Sequence, residues 1–173
     1  MLIRFVCFAC LLLPLGCVAK PIDSHQSLRP SQGQALTSVY LTTSGSFLNN
    51  ASFTIDRLAL FKDDAWLDLG LPAVEVDRSK NLNRQLLLGV ALAPAGEHRR
   101  FRFRVTDLTI DGFAVPVPAE EQMVELVFPE PVYLDSRESK CIFVDWSLES
   151  STSGVSRFQP VFTAQGQQVQ LGS

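Results

Sequence analysis

Beyond a polar stretch that runs to about Leu36, apolar residues recur at every second position in short runs, and turn residues separate the runs. Val39 and Leu41 open the pattern. Ser52-Phe53-Thr54-Ile55 continues it; the phase then slips by one and resumes at Leu58 and Leu60, which predicts a β-bulge near Asp56-Arg57. Lys62-Asp63-Asp64 is a tight polar turn into Trp66-Leu67-Asp68-Leu69, so these two runs predict a hairpin. Val74 and Val76 make a further short run after Pro72.

The second half repeats the style. Gln85 to Ala93 is apolar on both faces, which predicts a central strand, and Pro94-Ala95-Gly96 ends it in a turn. Phe101, Phe103 and Val105 alternate with Arg100, Arg102 and Arg104. Asp111-Gly112 is a hairpin dipeptide between Leu108-Thr109-Ile110 and Phe113-Ala114-Val115. Val124, Leu126 and Phe128 alternate, Pro129 and Pro131 break the run, and Val132-Tyr133-Leu134 resumes it. Ile142, Val144, Trp146 and Leu148 alternate cleanly. Phe158, Val161 and Phe162 predict a last strand, placed at a sheet edge by Pro160. Helical periodicity is confined to one possible turn in 78–84. About ten short strands spaced by turns imply an all-β fold, an antiparallel sandwich or barrel.

The N-terminus follows a different rule. Met1-Leu2-Ile3-Arg4 is a short basic start, Phe5 to Leu13 an apolar run, and Pro14-Leu15-Gly16 leads to Cys17. The run is shorter than the roughly 20 residues a spanning helix needs, and its order matches an export signal. The segment resembles a bacterial lipoprotein lipobox, with Gly16 before a cysteine that becomes the acylated first residue. Leucine usually stands three places before that cysteine; here Pro14 does, with leucine at Leu13. Ordinary secretion, with cleavage after Ala19, is the alternative, and it leaves the protein secreted or periplasmic. The lipobox implies a membrane anchor at Cys17, and Val18 rather than aspartate after it implies the outer membrane. Residues 17–36 then form the lipidated cysteine and a flexible tether, polar and carrying Pro21 and Pro30. A coil of about 19 residues averages roughly 25 Å end to end. Residues 37–173 form the β domain.

Charge and cysteine content narrow the partners. The chain of 173 residues carries 15 basic and 18 acidic residues, a net charge of −3, and losing Arg4 with a 1–16 signal peptide makes it one unit more acidic. Nucleic-acid binding calls for a basic surface, so none is expected. Cys7 and Cys10 leave with the signal and Cys17 is the anchor, so Cys141 stands alone. The lipidated chain therefore has no internal disulfide, and Cys141, opening an apolar strand, reads as a buried, inert thiol.

Candidate chemistry is sparse. Arg100, Arg102 and Arg104 share one strand face opposite Phe101, Phe103 and Val105. That stripe suits an acidic sugar, a phosphate-bearing headgroup or an acidic partner, or else cross-strand pairing with Glu121, Glu125, Asp107 or Glu97. Trp66 is a candidate for stacking on sugars or partners, whereas Trp146 is in phase with the core. No cysteine or second histidine lies at metal-ligand spacing from His25 or His98, so no metal or other cofactor is expected. No Gly-x-Ser-x-Gly elbow and no phosphate-cradling glycine loop occurs, and the Asp63-Asp64 and Glu120-Glu121 pairs sit in turns. No catalytic residue is assigned.

Several segments together carry a resemblance. Asp56-Arg57-Leu58-Ala59-Leu60-Phe61, a polar turn and Trp66-Leu67-Asp68-Leu69 are similar to a domain common in bacterial lipoproteins. So are Leu86-Leu87-Leu88-Gly89 with Leu92-Ala93-Pro94-Ala95-Gly96-Glu97-His98, Phe101-Arg102-Phe103-Arg104-Val105, Ile142-Phe143-Val144-Asp145-Trp146 and Phe158-Gln159-Pro160-Val161-Phe162. That family usually has an aromatic where His98 stands. The resemblance spans most of 37–165 and implies an immunoglobulin-like or transthyretin-like β-sandwich in the cell envelope, with no associated reaction. The expected function is a non-enzymatic envelope lipoprotein that binds or scaffolds an envelope protein or surface polymer. A carbohydrate-binding module and, behind it, an envelope hydrolase are the alternatives.

Overall fold

A computed structural model describes residues 28–44, 50–81, 84–147 and 161–168. Cys17, the stretch assigned to the export signal and most of that assigned to the tether lie outside these, as do Leu148, Phe158 and Pro160.

The alternating runs form ten strands. They are β1 (Gln34–Ser44), β2 (Ala51–Lys62), β3 (Ala65–Asp68), β4 (Val74–Asp77) and β5 (Leu86–Pro94), then β6 (Gly96–Ile110), β7 (Phe113–Ala114), β8 (Met123–Leu134), β9 (Ser139–Ser147) and β10 (Val161–Gln168). A short helix α1 (Arg78–Asn81) follows β4, and Ala119–Glu121 make one 3₁₀ turn. β1 starts at Gln34, a little before the expected boundary at 37.

Two sheets stack as an all-β sandwich. One has four strands in the order β10-β9-β1-β5. The other has six: β3 and β4 pair with β2, β2 with β6, and β6 with β7 and β8. Every pairing is antiparallel except one, since β1 runs parallel to β9 from Leu36 opposite Ser139 to Ser44 opposite Ser147. That exception departs from the expected antiparallel sandwich. β10 lies at a sheet edge, as expected.

The core lies between the sheets. Phe53, Ile55, Leu58 and Leu60 of β2 and Phe101, Phe103 and Val105 of β6 are buried against Ile142, Val144 and Trp146 of β9 and Phe162 of β10. Phe53 meets Trp146 edge-on at 4.7 Å between ring centroids, and Phe103 meets Phe162 at 5.0 Å. Such edge-to-face pairs add to area burial because ring edges are positive and faces negative. At the open side of the sandwich, Gly166 of β10 lies against Val132 of β8; a Cβ there would collide with that side chain.

Local turn chemistry matches the sequence. Asp111 and Gly112 both have positive φ, and Ile110 pairs with Phe113 across them. Asp63 and Asp64 do the same between Lys62 and Ala65, because aspartate tolerates the left-handed region better than most side chains. The bulge also falls where the phase slips: Asp56 pairs with Arg104 and Ala59 with Arg102, so Arg57 and Leu58 together oppose Phe103. Arg57 takes φ 51° and points outward, while Leu58 returns to the core. Asp77 caps α1, accepting from the Ser79 backbone N–H and hydroxyl. Those bonds, with Lys80, bring its pKa down to about 2.

One strand expectation needs correction. β5 is an edge strand, not a central one. Its register with β1 skips from Gly89 to Leu87, so Leu88 is an extra residue that turns into the core. The slip puts apolar residues on both faces without a strand on both sides. The break at Pro129 and Pro131 is a gap in pairing, and β8 itself continues through them to Leu134. Its pairing with β6 jumps from Val127 to Val132, so the prolines occupy an unpaired stretch where no N–H is needed.

Candidate functional site

Period two carries the arginines to the surface. Phe101, Phe103 and Val105 point into the core at 0–1% exposure, and Arg100, Arg102 and Arg104 project from the outer face of the six-stranded sheet. Register then sets their neighbours. Trp66 on β3, Phe61 on β2, Arg100 on β6 and Val127 on β8 form one row across four strands. Asp68, Ala59, Arg102 and Glu125 form the next, and Asp56, Arg104 and Met123 a third.

Within the rows each arginine has a different partner. Arg104 forms a two-pronged pair with Asp56, its Nε donating to Oδ1 at 2.8 Å and Nη2 to Oδ2. The bonds to Arg104 hold the Asp56 carboxyl below the ordinary carboxylate value. Arg100 donates from Nη1 to Glu125 Oε1 at 2.9 Å, and its Cζ lies 3.5 Å from the Phe61 ring centroid. Arg102 places Cζ 4.3 Å from the centroid of Trp66. Phe61 meets Trp66 at 5.1 Å with the rings inclined by 64°. The result is a packed stack of alternating cations and rings, an arrangement favoured by the negative face of each ring.

The structure brings Trp66, Arg100 and Arg102 together and sets Arg104 one row away. Of the carboxylates considered for pairing, Glu125 serves Arg100. Glu97 instead accepts from Arg99 and from the Tyr133 hydroxyl, and Asp107 accepts from Thr106. Sequence reasoning missed Asp56, Phe61, Ala59, Val127 and Met123. The bulge signal at Asp56-Arg57 was the available clue, since it sets which β2 residues face Arg102 and Arg104. Val127 is 69% exposed and Met123 40%, so the patch has open apolar flanks.

His98 faces inward on β6 and is fully buried, with Nε2 donating to the Pro94 carbonyl at 2.9 Å. Burial pushes its pKa below the ordinary 6.5, while the carbonyls of Pro94 and Phe61 pull the other way. Cys141 is half-buried on the outer face of the four-stranded sheet, not in the core, and burial raises its pKa. On that outer face Tyr40 stacks on Phe143 at 5.5 Å with rings 18° from parallel. Elsewhere a cleft of about 300 Å³ opens between β8 and β10, lined by Pro129, Pro131, Tyr133, Lys140 and Gln165. Among the described residues no three His, Cys, Asp or Glu side chains gather as a metal site, and no helix is long and apolar enough to cross a membrane.

No family model, curated protein or solved structure matches this chain.

Proposed function

We propose that the chain is a non-enzymatic cell-envelope lipoprotein whose β-sandwich binds or scaffolds an envelope protein or surface polymer. In this reading residues 1–16 are an export signal, acylated Cys17 anchors the protein at the outer membrane, and the following polar stretch lifts the domain from the headgroups. Cleavage after Ala19 without lipidation gives the same module in the periplasm or medium. The likeness to the immunoglobulin-like or transthyretin-like lipoprotein domain belongs to this reading.

The observation that carries it is the row Trp66–Phe61–Arg100–Val127. Aromatic residues, arginine and methionine are the residues enriched in protein interfaces, and tryptophan and arginine dominate their hot spots. Carbohydrate binding draws on the same Trp66, but Arg102 lies over its ring, where a sugar would stack. A hydrolase needs a reachable base, and His98 is fully buried with one nitrogen bound to the Pro94 carbonyl.

A photocrosslinking side chain at Val127 in living cells should give a discrete adduct with an envelope component. No adduct from Val127, with adducts from an unrelated surface position, overturns this face as the binding surface. A Cys17→Ser protein should leave the membrane fraction; if it stays there, the lipid anchor is wrong.

A further inference from the structure

Arg102 differs from its two neighbours. Arg104 is neutralised by Asp56 and Arg100 by Glu125. Arg102 has no hydrogen bond and no ion pair among the described residues, and its buried Nε has no partner. Register sets Glu125 directly opposite Arg102, yet the carboxylate reaches diagonally to Arg100. Arg102 leans the other way, across Ala59, whose small side chain leaves room for it to lie over Trp66.

We propose that the partner of this face is a protein segment that presents a carboxylate to Arg102, flanked by apolar side chains that cover Val127 and Met123. The proposal rests on the binding-module reading above. A guanidinium seated over an indole is restrained before any partner arrives, so less side-chain entropy is left to lose on binding. With Nε buried, the N–H groups on its two Nη atoms form the fork that matches a carboxylate with two parallel hydrogen bonds. The surroundings choose among anions. Asp56 and Glu125 are already paired with arginines and Asp68 borders the same row, so Arg102 is the cation left over, and a single carboxylate matches it where a polyanion carrying many charges does not. A stacked sugar loses its platform because Arg102 covers the Trp66 ring and Phe61 lies close beside it. The exposed Val127 and Met123 instead suit aliphatic side chains.

The test uses the full chain in mild detergent and three probes: a short capped valine-rich peptide with a single glutamate, its glutamine counterpart, and trigalacturonate. Trp66 emission reports binding, since Trp146, the other tryptophan, is fully buried in the core. The glutamate peptide should bind about tenfold more tightly than the glutamine peptide, the size of one charge-assisted hydrogen-bonded pair. Arg102→Gln should abolish that preference, and Arg102→Lys, which keeps the charge but not the fork, should retain part of it. Equal binding of the two peptides overturns the proposal. So does an unchanged preference in Arg102→Gln with a native circular dichroism spectrum. Tighter binding of trigalacturonate than of the glutamate peptide, lost in Arg102→Gln, overturns it in favour of an acidic glycan. A Val127 adduct in cells that forms equally well with Arg102→Gln keeps the binding face and removes the carboxylate. Absence of any Val127 adduct removes the face itself.

Discussion

On the four-stranded sheet the outward residues of β1, β5 and β9 include Leu36, Tyr40, Leu87, Val90, Leu92 and Phe143. On the six-stranded sheet the corresponding surface holds Trp66, Phe61, three arginines and the carboxylates around them. Both surfaces arise from the same period-two alternation. The first packs largely on itself, because Leu36 opposes Leu92 and Tyr40 lies between Leu87 and Phe143, although Leu87 stays 44% exposed. On the second, Arg100 and Arg104 are paired while Arg102 is not, and Val127 and Met123 stay open beside it. Binding capacity on a sheet surface therefore depends less on how many charged or aromatic groups it holds than on which one the register leaves over.

The largest effect should come from beneath the arginine face. Phe103→Ala should cost about 3–5 kcal/mol in denaturant unfolding, because the ring is fully buried against Phe101 and Phe162. A smaller loss would mean that the outer stack, not the core, holds β6 in place. Phe143→Ala on the opposite surface should cost about 1–2 kcal/mol, the scale of a half-buried stacked pair. No change there would remove the claim that the four-stranded face stabilises itself.

Acid titration separates the two sides of β6. The folded pKa of His98 lies below 6.5, so between the two values the unfolded chain binds a proton that the folded chain does not. Stability should be level above about pH 6.5 and fall as pH drops from there through the folded value. His98→Gln should flatten that segment of the curve. Asp56 has the opposite chemistry and a similar consequence. Its lowered pKa gives stability present above the ordinary carboxylate range and lost as pH falls through the folded value. This smallest effect should disappear in Arg104→Gln and weaken at high salt, since both partners retain contact with solvent. If it survives the substitution, Arg104 is not the group that neutralises Asp56.

Much of the fold was legible because it is local. The Asp111-Gly112 and Asp63-Asp64 turns, the bulge at Asp56-Arg57 and the inward set on β6 follow from neighbouring residues alone. Partner choice between distant strands was not legible. Nothing near β1 announces that it pairs in parallel with β9, and the apolar run of β5 hid an edge position behind the Leu88 slip. At the site, Arg100, Arg102, Arg104 and Trp66 were visible as residue types on the expected face. Their differing states were not, because Asp56, Ala59 and Glu125 reach them only through the register of three strands.

The parallel contact of β1 has a mechanical meaning. β1 lies between β5 and β9, and its first residue is Gln34, at the end nearest the N-terminus. A pull on that end along the strand loads the ladders on both sides at once, in shear. The bonds then share the load and give way together, whereas an edge strand peeled from its free end, such as β10, would open one bond at a time. A domain dragged by its N-terminus would thus meet the load through a strand that is paired on both sides.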